Sequence, residues 1–346
     1  MAADYKKEAG INSYQRVLAR LQGQPVDRPP NFNIYMSFAA DHIDQPLARY
    51  YLDYRVLVEA NMAMLEDFES DIVQAISDPY REAADFGLDV IFPENSLPTN
   101  TTPLIENPED LSSLKIPDPY NSPRMMDRLE AVRLLREKVG GKVPILGWVE
   151  GALAEAVDLR GMTDLMMDLI QRPEWVMALL EICGELSVQF SLAQLEAGAD
   201  IIGLGDAAAS QISPVMYRRF ALPYEHKVFS EVPNAGGIGR LHICGDTNKI
   251  LPDMVASGAK IIDLDWMVDM PAAVNQFGDQ VSFCGNIDPV AVLLQGTPEE
   301  VYRATLINLK AGGIHSICAA GCEVPRNTPH ENLAAQNRAL RDYGQG

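Results

Sequence analysis

His242 and Cys244 stand two residues apart in the stretch GRLHIC (239–244). On an extended segment that spacing points both side chains to the same side, where they can grip a single ion. Cys322 lies 78 residues further on, at the end of another stretch of strand character, so a third ligand can arrive from a separate part of the fold. One imidazole nitrogen and two thiolates suit zinc. Three protein ligands leave a fourth position for water or substrate, the arrangement of a catalytic rather than a structural ion. From spacing alone, three buried and inert side chains are an equal reading, because H-x-C is a short pattern.

Other polar residues recur at the ends of apolar stretches. Glu150 follows VPILGWV, Asp206 follows IIGLG, Asp265 ends IIDLD, Asn286 and Asp288 follow VSFCG, and Cys322 follows SICAAG. A metal-bound histidine usually gives its second N–H to an acceptor, so Glu150, Asp206 and Asp265 are the candidate proton donors or partners of His242. Asp265 serves equally as a helix cap or a packed layer residue, and Asp246 and Asp288 read as caps. Trp148, with Tyr35 and Asn286, is the candidate substrate wall, and Trp266 is a further aromatic that could line it, although aromatic residues near strand ends are more often simple packing. Cys183, Cys284 and Cys318 sit among apolar neighbours and read as small hydrophobes. His42, His226, His315 and His330 have no comparable partners in sequence and read as surface or core residues.

These residues need a scaffold that brings separate strand ends together. Residues 14–21 read as a short amphipathic helix, 32–38 as a first strand, 46–68 as helix, and 71–76 and 88–92 as strand material. From residue 143 a regular alternation sets in. The strands 143–149, 199–205, 239–244, 260–265, 280–286 and 314–321 are separated by helical pattern. Short, nearly continuous apolar strands alternating with helices indicate a parallel sheet covered on both faces. No GxGxxG follows the first strand, and the number of strands suits closure better than an open doubly wound sheet. The expected fold is therefore α/β, a single (β/α)8 TIM barrel over 1–346, with residues 1–30 as an N-terminal helical segment packing on it. Chemistry then belongs at the C-terminal strand ends, where these polar residues fall. The Pro-rich stretch 107–124 is the longest expected loop and a candidate cover for that face.

Composition narrows the partners. Against 28 Lys and Arg stand 48 Asp and Glu, a net charge of −20 that repels nucleic acid and anionic membrane surfaces. The N-terminal stretch has no signal-like apolar run and no 18 apolar residues follow one another, so a cytoplasmic protein is expected, its cysteines reduced.

The motifs LHICGDT (241–247), DLDWMVD (263–269), CGNIDPVAVLLQGTPEEV (284–301) and AAGCEVPRNTP (319–329) together resemble the uroporphyrinogen decarboxylase superfamily, and within it the cobalamin-dependent methyltransferases. The resemblance runs through most of the chain after about residue 144 and implies that His242, Cys244 and Cys322 bind zinc. It also implies a partner corrinoid protein that carries cobalamin, and a small-molecule methyl donor or acceptor. The decarboxylase branch carries an R-Q-A-G-R stretch near its N-terminus to hold carboxylates, whereas this chain reads RPPNFNIYMSFAADH (28–42). Trp148 and Glu150 in GWVEGALAEAVDLRG (147–161) look more like the O-demethylating members. The expected function is therefore methyl transfer from a methoxylated, aromatic substrate to cobalt. The alternatives are transfer from methylcobalamin to a thiol such as coenzyme M, a decarboxylase-like activity, and a metal-binding barrel without catalysis.

Overall fold

Six parallel strands pair in chain order: β1 (Val73–Gln74), β2 (Ile145–Glu150), β3 (Ile201–Gly205), β4 (Ile238–His242), β5 (Ile261–Leu264) and β6 (Ser282–Gly285). The computed structural model describes residues 10–345. Two further strand positions, reduced to single parallel bridges, complete the ring. Cys284 pairs with Ile317 and Ile287 with Ala320, while Asn31 pairs with Cys318 and Ile34 with Glu323. The Asp71 N–H donates to the Asn31 carbonyl at 2.9 Å and joins the 31–34 segment to β1. The sheet thus curls into the expected α/β barrel, with helices on its outer face.

Alternation along each strand sorts side chains between lumen and helices. Phe32, Ile34, Ile72, Ile76, Leu146, Trp148, Ile201, Ile261, Cys284, Ile317 and Ala319 form one buried cluster inside the ring. Val17 and Leu21 of the Ser13–Leu21 helix join it. That helix starts on Asn12, whose side chain accepts from the Gln15 N–H while Gln15 returns the bond. The Tyr14 N–H donates to the Lys142 carbonyl and the Arg20 guanidinium to the Ser316 carbonyl, both just ahead of strands. The helix therefore plugs the N-terminal end and leaves the C-terminal end open for the site. Residues 1–9 of the expected N-terminal segment lie outside the described residues.

Several local expectations are corrected. Residues 88–92 hold the expected strand, Val90–Ile91, but it pairs antiparallel with Thr99–Asn100 in an outlying hairpin and not with the barrel sheet. The 46–68 helix is two helices, Leu47–Leu52 and Tyr54–Asp67, divided at Asp53, whose carboxylate accepts from the Arg55 N–H and starts the second. Residues 32–38 hold one bridged position, Ile34, before a helix opens at Ser37. The Pro-rich stretch carries a short 3-10 helix, Pro108–Ser113, fastened by Trp175 Nε1 donating to the Pro108 carbonyl at 2.8 Å. The Pro173–Ala197 helix is long and apolar enough to cross a membrane, yet it packs along β2 and β3 with much of its apolar surface buried.

Candidate metal centre

β4 reads Ile-Gly-Arg-Leu-His, so Arg240 and His242 face the lumen while Leu241 turns outward into the helix layer. The strand ends, and the chain turns at Gly245, whose φ of 96° lies in the left-handed region that glycine adopts freely. The Gly245 N–H donates to Asp265 Oδ2 at 2.9 Å, which fixes the turn carrying Cys244. Cys322 arrives from the segment that closes the barrel. A Cβ on the preceding Gly321 would lie 2.5 Å from the Trp266 backbone nitrogen, so only glycine lets the two loops approach this closely.

The three predicted ligands meet. His242 Nε2 is 3.0 Å from Cys244 Sγ, the two sulfurs are 3.4 Å apart, and Cys322 Sγ is 4.0 Å from His242 Nε2. Tetrahedral bonds of ordinary zinc–sulfur and zinc–nitrogen length place such donors about 3.5–3.8 Å apart, so this triangle fits the ion. The sulfur separation is too long for a disulfide, and all five cysteines are free. Among the described residues this is the one His/Cys/Asp/Glu group whose donor atoms converge as metal ligands do.

The opposite ring nitrogen of His242 is held as well. Nδ1 lies 2.8 Å from Asp263 Oδ2, and Asp263 accepts from Arg240 Nε at 2.9 Å. With an ion bound, an N–H kept at Nδ1 would leave the Nε2 lone pair for the metal. All three side chains are buried. Burial would raise the Asp263 carboxyl, but Arg240 and His242 outweigh it and hold the group below its ordinary range. Burial works against a charged His242, yet Cys244 and Asp263 raise it well above its usual value. The Cys322 thiol is pulled down to about 4 by the hydrogen bond from Cys244, against burial and with help from His242. The pocket therefore favours a thiolate before any ion is bound.

The other candidates are held in different ways. Trp148 packs its indole across the lumen side of β3, where a Cβ at Gly203 would come within 2.3 Å of the ring, and its ring centroid is 5.9 Å from that of His242. It forms a floor beside the ligands rather than an open aromatic wall. Glu150 receives Trp148 Nε1 at 3.3 Å and pairs with the buried Arg81 at 3.2 Å. Burial, opposed by Arg81 and reinforced by Glu82, pushes it up to about 8. Asp206 caps the helix after β2 by accepting the Ala154 N–H at 2.9 Å, and burial raises it to about 7 against that bond. Asp265 spends both oxygens on the N–H groups of Gly245 and Met267. Asn286 Nδ2 donates to the carbonyls of Asp265 and Val268, tying the loop after β6 to the loop after β5. Tyr35 is buried against Phe38 and Phe68, and its hydroxyl accepts from Asn33.

The partner of His242 is thus Asp263, which sequence reasoning missed. Its signal was the alternation in IIDLD, where Asp263 and Asp265 share a face. The register pairs Arg240 with Ile261 and Leu241 with Ile262, so the next position sets His242 beside Asp263 and carries Asp265 past it.

Residues 12–343 match the uroporphyrinogen decarboxylase (URO-D) family. The chain is 30% identical over 337 residues to the methylcobamide:CoM methyltransferase MtbA of Methanosarcina acetivorans, covering 95% of this chain and 97% of that protein. It is 29% identical over 340 residues to the methylcobamide:CoM methyltransferase MtaA of Methanosarcina barkeri, at 95% and 97% coverage. A solved methyltransferase from Methanosarcina mazei superposes with a TM-score of 0.88 at 27% identity, over 97% of this chain and all of that one.

Proposed function

Because the chain belongs to the uroporphyrinogen decarboxylase family, we propose that it acts in the methyltransferase manner of its relatives, moving a methyl group from a methylated corrinoid to a small thiol. The observation that carries this reading is the His242–Cys244–Cys322 triangle, with Nδ1 of His242 tethered to Asp263. The donor set suits zinc, which when bound would lower the pKa of a coordinated thiol and supply a thiolate at neutral pH.

In the transfer the acceptor sulfur attacks the methyl carbon, a carbon–sulfur bond forms and the cobalt–carbon bond breaks. The electron pair stays on cobalt and the thiol proton leaves to solvent. Asp263 and Arg240 keep His242 in one tautomer and orientation, Trp148 closes the floor against water, and the Asp265–Gly245 bond holds Cys244 in place. Glu150 and Asp206, both raised toward neutrality by burial, are the groups able to hold or release a proton near the mouth.

The expectation of O-demethylation gives way to the thiol reading. It rested on the likeness of Trp148 and Glu150 to the O-demethylating members, as an aromatic wall and a carboxylate, and both are engaged with protein groups. The matched methyltransferases, in turn, are named for methylcobamide and CoM. Purified zinc-loaded protein should demethylate methylcobalamin in the presence of a thiol, and Cys322→Ala should not. Methylcobalamin formed from cob(I)alamin and methoxylated aromatics, with no transfer to thiols, would restore the other direction.

A further inference from the structure

Cys244 and Cys322 differ from the other three cysteines in access and in neighbours. Both are only partly buried, at the open end of the barrel, whereas Cys183, Cys284 and Cys318 are at most 1% exposed. Each also has a sulfur beside it, since the two Sγ atoms lie 3.4 Å apart. Cys284 and Cys318 approach one another through the bridge from Cys284 to Ile317, yet Cys284 packs into the lumen cluster and Cys318 into the helix layer, so their thiols face opposite ways. Cys183 lies midway along the Pro173–Ala197 helix. The barrel mouth thus holds one pair of sulfurs placed to react with each other.

A disulfide needs its sulfurs about 2.05 Å apart, so a pair now 3.4 Å apart must close by about 1.3 Å. Cys244 and Cys322 stand on separate loops, and neither belongs to a strand or a helix. The Gly245–Asp265 bond anchors the backbone beside Cys244, so the closure falls on side-chain rotation and on the loop of Cys322, with no loss of sheet pairing. Once bonded, the two sulfurs cannot serve as thiolate ligands, and the donor triangle is left with the imidazole alone. The pair is therefore either two metal ligands or one disulfide.

We propose that Cys244 and Cys322 form an oxidation site, at which a peroxide joins the two ligands in a reversible disulfide and so dismantles the metal centre. One sulfur attacks a peroxide oxygen, the O–O bond breaks, and hydroxide leaves behind a sulfenic acid. The second sulfur attacks the sulfenyl sulfur, the S–S bond forms, and a second hydroxide leaves. The two sulfurs together give up two electrons, and hydrogen peroxide becomes two waters with the protons that the thiols release. Two equivalents of a small thiol reverse the bond by exchange and leave as their own disulfide. The inference rests on the donor triangle and is independent of the methyl donor and acceptor that the centre serves.

Zinc-free and zinc-loaded protein are each treated with a small excess of hydrogen peroxide, quenched with catalase and alkylated without reduction. In the zinc-free protein the intact mass before alkylation should fall by about 2 Da, and the free thiols should drop from five to three and return with dithiothreitol. The tryptic map should join the peptides holding Cys244 and Cys322, with the bond located by fragmentation because Cys318 shares the second peptide. From the zinc-loaded protein, a chromogenic chelator should collect one zinc per cross-link formed. Five thiols unchanged, Cys322 carried to a sulfinic acid with Cys244 still free, a cross-link through Cys183, Cys284 or Cys318, or a Cys244–Cys322 bond in protein that keeps its zinc overturns the proposal. Cys244→Ser and Cys322→Ser should each abolish the mass loss; if neither folds, the peptide map of the unaltered protein decides.

Discussion

Two neighbouring quarters of the barrel mouth are built differently. At β4 and β5, Arg240, Asp263, His242, Cys244 and Cys322 engage one another at hydrogen-bonding or close contact distances. At β1 and β2, Tyr51, Ser77, Asp78 and Glu155 are buried and retain unpartnered atoms, as do the guanidinium groups of Arg81, Arg124 and Arg128, whereas among the five residues at β4 and β5 the unpartnered nitrogen or oxygen is Arg240 Nη1. Interconnected polar groups hold a geometry ready for a metal ion, whereas buried groups with unused capacity carry a standing cost. The first quarter thus holds its side chains in one arrangement, and the second keeps several buried polar atoms without partners.

The largest break in this contrast should come from the ligands. Cys322→Ala is expected to lose stoichiometric zinc and all methyl transfer while the circular dichroism of the barrel persists; a variant that keeps its zinc would remove the site. Next comes Asp263→Asn, which leaves His242 without its anionic partner. Zinc affinity, read by competition with a chromogenic chelator, should fall about 10- to 100-fold. An affinity within twofold of the parent would reduce Asp263 to a fold contact. Gly203→Ala drives a methyl into the indole of Trp148 and should cost about 1–3 kcal/mol in denaturant unfolding.

The smallest effect is one of pH. Glu150 is raised by burial to about 8, so the folded state binds its proton more tightly than the unfolded chain does. Below the ordinary carboxylate value both states are protonated and nothing is lost. As pH rises toward 8 the unfolded chain ionises first and stability declines. Glu150→Gln should flatten that decline in the melting temperature between about pH 5 and 8. A slope identical to the parent would assign the pH dependence to other buried acids such as Asp206.

The same contrast explains what the sequence disclosed. The strands from residue 143 onward were legible because both of their faces are buried and they read as apolar runs. The segments read as strands at 32–38 and 314–321 hold only isolated pairings, and the strand expected at 88–92 exists as Val90–Ile91 but builds an outlying hairpin, because apolar and β-branched runs announce a strand and not its partner. His242, Cys244 and Cys322 stood out because none is an ordinary helix cap. Asp263 did not, because choosing it over Asp265 needs the register of two strands whose paired residues lie 21 apart rather than composition. The β1 cluster was invisible for a related reason. Tyr51, Asp78, Arg81, Arg124 and Glu155 come from separate elements, and nothing in their spacing announces that they share one buried region.

The most direct test of a zinc centre with a position open to a thiol is X-ray absorption at the zinc edge, with and without an added thiol acceptor. The zinc-loaded protein should show one nitrogen, two sulfurs and one lighter ligand, and the thiol should replace the lighter ligand with a third sulfur. A coordination shell unchanged by saturating thiol, or one lacking the two protein sulfurs, would contradict the account.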